Sequence, residues 1–453
     1  MSALAIEFND ASLAGVAAGE LRFEEPGYAV APDGALLFGR KARAVARRYP
    51  RRLHNRYWED LSEESFAQPV GPALSAADLA HAQLAELWQA HGGDCDSAVF
   101  AVPASWSAEQ LGLLLGIAQD EGIPVAGFVD ATVAATRREY PGRTLVAVEA
   151  HLHSTELAHM VQDGLASVGE RQWLADVGVE RLERVAMAYL AGCFVAEARF
   201  DPLHDAESEQ ALYDQLDDWL AQLTRVPYLD AELSARAGVF QARLDQAALA
   251  ERITEACQPL LQRLRALLPA GRAAAVQLGS RLAAFPGVVA ALTALPDTAV
   301  FVLEPGAVAT GALRAVSRQG DGAVRLLSRL PWDQPAAPDT AAPQSTAAAL
   351  PTHLLDGNRA YRLGAGPLSI GTALTPGDFG IPLDPAVAGV SRRHCSVQGE
   401  DGRMILRDHS RYGTRLNGHA IDGSAVLQAG DVISVGNPPR EFRVVIEVEA
   451  DGP

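Results

Sequence analysis

The 453-residue sequence predicts an α/β unit followed by an all-β sandwich, and three observations carry that reading. Up to about residue 330, apolar residues recur alternately at helical and strand-like spacings. Residues 331–351 are then mostly Pro, Ala, Gln, Ser, Thr and Asp, without hydrophobic periodicity. Beyond them the apolar runs are short, alternating and bounded by Gly, Asp, Asn or Pro. The length agrees with more than one folding unit, since a domain typically holds ~100–200 residues.

Residues 4–8 and 99–102 read as strands, and residues 107–121 as a helix because Leu111, Leu114, Leu115 and Ala118 fall at helical spacing. Residues 125–129 and 145–148 are short apolar runs of the buried-strand kind. From 179 to 223 the pattern is helical, through Leu182, Ala186 and Leu190 and then Leu212, Leu216 and Leu220. Residues 226–240 hold strand-like stretches, and residues 247–268 return to a helical stripe of Ile253, Cys257, Leu260, Leu264 and Leu267. No internal repeat is legible. After the polar segment, residues 361–363, 369–370, 396–397, 404–406 and 442–448 alternate as strands do. The expected organisation is therefore a unit over 1–330, a linker over 331–352 and a sandwich over 353–450.

A formal charge of −18 argues against nucleic-acid or anionic-membrane binding, so an anion site on this chain has to be local. Lys41 is the only lysine, which leaves planar guanidinium recognition as the available chemistry for phosphate. Cys95, Cys193, Cys257 and Cys395 lack metal-ligand spacing. No signal peptide or bilayer-length apolar run is legible, and a cytoplasmic chain without membrane insertion is expected.

Ser391-Arg392-Arg393-His394, Asp408-His409-Ser410, Gly413-Thr414, Asn417-Gly418 and Gly430-Asp431 follow one another along the carboxy-terminal strands, after Gly371. That order resembles a forkhead-associated (FHA) domain over roughly the last hundred residues. The resemblance implies a two-sheet sandwich whose end loops bind a phosphothreonine peptide, hence a partner that carries phosphothreonine, such as a kinase substrate. It places Ser391 on the phosphate, Arg392 beside it and His394 as the buttress of the loop, with Gly371, Gly413, Asn417 and Gly418 as structural positions. Two positions depart from the family: Thr372 stands where an arginine follows Gly371, and Tyr412 where an asparagine precedes Gly413. Arg392, Arg411 and Arg415 are the candidate replacement donors.

Residues 99–106, Gly122-Ile123-Pro124-Val125, Asp130-Ala131-Thr132, Phe38-Gly39-Arg40-Lys41 and Glu304-Pro305-Gly306-Ala307 occur in the order seen in seventy-kilodalton heat-shock chaperones. The first unit resembles their nucleotide-binding domain, which implies a two-lobed, actin-like ATPase fold. In that family two glycine-rich hairpins cradle ATP phosphates and aspartates organise magnesium. Here the first reads Glu7-Phe8-Asn9-Asp10 and the second Glu149-Ala150-His151-Leu152-His153, without glycine. Asp10 adds negative charge where phosphate is expected. The adenosine-side motif is reduced to Gly279-Ser280-Arg281.

Glu7, Asn9, Asp10, Asp130, Glu149, His151 and Gly279 are the nucleotide-site candidates. His151 and His153 are expected to share a face of one strand, beside the carboxylates of Glu7, Glu149 and Asp130. The leading expectation is an adaptor with a degenerate ATPase domain. The alternative is an active, ATP-dependent chaperone-like ATPase targeted by its FHA domain, and ATP and magnesium stay open as cofactors.

Overall fold

The computed structural model describes residues 2–175, 177–236, 238–268, 271–318, 324–337, 352–356, 359–363, 366–374, 380–385, 387–400, 403–421, 423–427 and 430–445. The chain divides into two compact units, Met1–Pro343 and Gln344–Pro453.

The first unit is mixed α/β and is built on two six-stranded sheets. In one, the strands Ala3–Glu7, Leu13–Ala17 and Glu20–Glu25 form an antiparallel meander. Ser97–Val102 and then Val125–Asp130 add in parallel beside the first strand. In the other sheet five strands repeat this order, while the sixth strands, Leu326–Leu327 in the first sheet and Arg329–Pro331 in the second, lie at opposite edges. Thr144–Ala150, Thr155–Gln162 and Leu165–Leu174 form the meander, and Ala274–Leu278 and Thr298–Val302 add in parallel. The sequence shows no repeat, yet the strand order is repeated, because topology follows hydrophobic period and connection length rather than residue identity.

Both first strands are buried along most or all of their length, as expected where both faces of a sheet are covered. The helices Ala76–His91 and Ala108–Asp120 cover one face of the first sheet with Leu79, Leu84, Leu114 and Ile117. Ser107 caps the second of these reciprocally: its Oγ accepts from the Gln110 amide at 3.2 Å while Gln110 Oε1 accepts from the Ser107 amide at 2.9 Å. The helices Val179–Ala198, Ala206–Leu223, Gln246–Ala256 and Gln258–Leu267 and the hairpin Tyr228–Ala235/Gly238–Asp245 build the core of the second half. A further core joins Ala5, Val99 and Val129 of one sheet to Ala166 and Leu330 of the other, through the short helices Ala131–Ala135 and Ala307–Ala312.

Residues 332–337, expected as part of a linker, are held to the first unit. Arg137 grips Asp333 in a fork at 2.6–3.1 Å, Gln334 accepts from Arg138, and Ala337 is buried with its amide on the Glu139 carbonyl at 2.7 Å. These contacts hold residues 332–337 to the first unit against their polar, Pro-rich composition. Residues 338–351 lie outside the described residues, as do residues 446–448 of the expected last strand.

The second unit is a sandwich of two sheets. One runs Arg359–Arg362, His353–Asp356, Arg440–Val445, Val432–Val435, Arg415–Leu416 and His419–Ala420; the other runs Gly380–Pro382, Leu368–Gly371, Cys395–Glu400, Arg403–Asp408 and Ser424–Leu427. Alternate residues from both, including Leu354, Ile370, Val397, Leu406, Ile433, Phe442 and Val444, meet in one core. Phe442 is fully buried there, so Phe442→Ala is expected to cost ~3–5 kcal/mol. Faster amide exchange across the strands between residues 353 and 445 checks this.

Candidate functional site

At one end of the sandwich three loops are locked together by short polar side chains. The Ser391 amide donates to His394 Nδ1 at 3.1 Å, which fixes the tautomer, so His394 Nε2–H donates to the Gly413 carbonyl at 3.2 Å. His394 is fully buried, and burial holds its pKa below the ordinary value, so the ring stays neutral in this bridge. Ser391 Oγ accepts from the Arg411 amide at 3.2 Å, tying the loop before Cys395 to the loop after Asp408.

Asp408 anchors the second loop from below. Its carboxylate accepts from the Ser410 amide at 2.9 Å, the Thr414 amide at 3.2 Å and Thr414 Oγ1 at 2.8 Å. Burial alone would push this carboxyl up, but the Ser410 and Thr414 hydrogen bonds outweigh it and hold the pKa below the usual value. Ser410 Oγ in turn accepts from the Gly413 amide at 2.7 Å.

The third segment is the end of the strand Leu368–Gly371. Thr372 and Ala373 donate their amides to the carbonyls of Ser391 and Arg392 at 3.2 and 3.0 Å. This approach is so close that a Cβ on Gly371 would lie 2.1 Å from the Arg392 carbonyl oxygen. Comparison with known protein families matches residues 368–436 to the FHA domain. The carboxy-terminal sandwich carries an FHA domain. That match begins at residue 368, and comparison with curated proteins finds no match.

Within the FHA domain, Ser391, Thr372 and the backbone of Arg411 are thus brought together, while Arg392, Arg393, Arg411 and Tyr412 are exposed on the same loops. Among the described residues the guanidinium groups of Arg392, Arg393 and Arg411 have no carboxylate partner, and Arg411 lies 5.9 Å from the centroid of the Tyr412 ring. One Nη1–H of the exposed Arg415 donates to the Gly418 carbonyl at 2.9 Å. Asn417 is structural: it bonds Asp431 Oδ1 at 2.8 Å and accepts from the Val432 amide at 2.8 Å. Ser410 and Asp408 are the positions whose roles sequence reasoning left unassigned, although the Asp408-His409-Ser410 run is part of the ordered motif series.

In the first unit the candidate nucleotide residues lie where the ends of the two first strands meet. Arg281, one residue into the short helix Ser280–Ala283, donates Nη1–H to Glu7 Oε1 at 2.8 Å and Glu149 Oε1 at 3.0 Å, and Nη2–H to the Ser12 carbonyl at 2.6 Å. Burial alone would push this guanidinium pKa down, but Glu7 and Glu149 reverse that and keep it charged. Burial, opposed by Arg281 and aided by Glu7, pushes Glu149 up to about 7. Two carboxylates facing one cation leave one excess negative charge, which favours the protonated form of Glu149. Gly279 makes room for this arrangement, since a Cβ there would lie 2.2 Å from Glu149 Oε2.

The two turns are stitched to each other. Asn9 Nδ2–H donates to the Ala150 carbonyl at 3.1 Å, and the Leu152 amide donates to Asp10 Oδ1 at 2.8 Å. Leu152 is buried in the helical core. His151 Nδ1 lies 3.7 Å from Asp10 Oδ1; burial lowers the imidazole pKa, but Asp10 outweighs this and holds it above the ordinary value.

His151 and His153 do not share a strand face, since the strand ends at Ala150 and both sit in the turn 151–154. Asp130 ends the strand Val125–Asp130. It caps the helix Ala131–Ala135 through the Val133 amide at 3.0 Å and pairs with Arg171, which also binds Glu156 at 2.6 Å.

Arg281→Met leaves Glu7 and Glu149 buried without their cation and is expected to cost ~3–5 kcal/mol. Glu149→Gln keeps the Arg281–Glu7 pair and is expected to cost far less. With its folded pKa raised above 4.5, Glu149 contributes stability below that pH that is lost as the pH rises through about 7. Urea unfolding at pH 5 and pH 8 is expected to show this slope in the wild type and its loss in Glu149→Gln.

Proposed function

We propose that the chain is an adaptor whose FHA domain recruits a phosphothreonine-bearing protein, and whose first unit is an actin-like, chaperone-related domain that serves as a docking platform rather than an ATPase. The observation that carries the first half is the loop cluster around Ser391. Its backbone is fixed by Ser391, His394 and Asp408, so the exposed guanidinium groups of Arg392 and Arg411 are left for a ligand in a protein of net charge −18. A phosphothreonine dianion offers three acceptor oxygens to such donors.

For the first unit, the ordered motifs and the repeated strand order of the two sheets support the actin-like reading. The occupation of the centre by Arg281, the bond between the two turns and the negative charge of Asp10 support the loss of Mg·ATP chemistry. A phosphate tail arriving there meets carboxylates already neutralised from within and an additional carboxylate that repels it.

Anisotropy titration of the full chain with a degenerate phosphothreonine peptide library is expected to show binding that the unphosphorylated library lacks. Loss of one charge-assisted bond is worth ~1.5–3 kcal/mol, so Arg392→Gln or Arg411→Gln should weaken binding by about ten- to a hundredfold. Partner capture that survives both phosphatase treatment and Ser391→Ala would exclude phosphate reading.

A further inference from the structure

Asp10, Glu59 and His153 come from three separate segments, and each offers one donor atom such that the three atoms lie within 4.8 Å of one another. Asp10 is in the first turn, Glu59 follows Trp58, and His153 is in the turn 151–154. None of the three takes part in the Arg281 cluster.

Two of the three carry the marks of ligands held in place from behind. His153 has Nδ1 3.5 Å from Glu180 Oε2, whereas Nε2 lies 3.3 Å from the Asn55 carbonyl, on the segment that leads to Glu59. Both ring nitrogens thus face acceptor oxygens; an ion binding at Nε2 displaces its proton and the Asn55 contact, while Glu180 keeps the proton on Nδ1 and orients the ring. Asp10 is buried; its Oδ1 accepts from the Leu152 amide and lies beside His151, while Oδ2 takes no hydrogen bond among the described residues. Glu59 is held from the solvent side by Arg56 at 2.6 Å.

A cavity of about 250 Å³ opens on Asp10 and Glu59, walled by Trp58, Trp106 and Trp173. It has room for the water ligands that a three-donor protein site leaves to be supplied.

We propose that Asp10, Glu59 and His153 bind one divalent transition-metal ion of the zinc or manganese class. One imidazole nitrogen with two carboxylate oxygens suits these ions better than magnesium or calcium, which prefer all-oxygen shells, or copper(I), which prefers sulfur. Bonds of ~2.0–2.2 Å place neighbouring donors ~3.4 Å apart, so the trio closes on the ion by about 1 Å. The ion offsets the repulsion between Asp10 and Glu59. The site is independent of phosphothreonine reading and of the Glu7/Glu149 pair.

Isothermal titration of the metal-free full chain with Zn²⁺ and with Mn²⁺ tests the proposal, with Mg²⁺ as the comparison ion. One ion of Zn²⁺ or Mn²⁺ per chain is expected at micromolar affinity, with Mg²⁺ at least tenfold weaker. Glu59→Gln and His153→Gln are each expected to weaken the binding at least tenfold. Glu59 is partly exposed, so its variant should keep the wild-type unfolding midpoint in the absence of metal. The Cys95→Ser/Cys193→Ser variant should bind as the wild type does. No saturable binding of either ion, binding that persists in both ligand variants, or binding removed by the cysteine changes would each overturn the assignment.

Discussion

A single buried guanidinium organises the centre of the first unit. Glu7 ends the first strand of one sheet and Glu149 lies near the end of the equivalent strand of the other, so a fold that joins these ends brings two carboxylates together out of water. Left alone, they would repel each other and carry a large desolvation cost. Arg281 meets both, together with the Ser12 carbonyl, and thereby ties the two sheets to the short helix after Ala274–Leu278. The cation such a pair requires is covalently part of the chain. Gly279 and Leu152 follow from that arrangement, one by vacating space for Glu149 and the other by filling the helical core from a turn that has no glycine.

The FHA domain divides its polar groups differently. Ser391 Oγ, His394 and Ser410 direct their hydrogen bonds to backbone, Asp408 to two backbone amides and the Thr414 hydroxyl, and none of these bonds depends on a ligand. Exposed arginines then stand on a frame already rigid, which reduces the ordering cost of binding. At Thr372, where the family places an arginine, the chain contributes a backbone amide to this frame, donated to the Ser391 carbonyl.

The short strands of the second unit and the amphipathic helices of the first are legible in the sequence because burial on one face imposes a local period. The FHA motifs are legible because each turn or close approach restricts its own residue type, as Gly371 does beneath Arg392. What depends on distant partners is not. Asp333 and Gln334 read as linker, yet they are held by Arg137 and Arg138, which lie 196 residues earlier in the chain. His151 and His153 look like alternate residues of a strand because alternation runs past Ala150, where the chain turns instead. Arg281 stands out in sequence only as part of a reduced adenosine motif, and its role appears once Glu7 and Glu149 are brought to it. Among the described residues no helix is long and apolar enough to cross a membrane, in agreement with the hydropathy pattern.

Calorimetric titration of the full chain with ATP and magnesium at millimolar concentration, in wild type and Arg281→Met, tests most directly whether the centre is filled from within. The account predicts no saturable heat of binding in the wild type. Saturable binding, accompanied by phosphate release, would contradict it and return Glu7 and Glu149 to the service of a bound nucleotide.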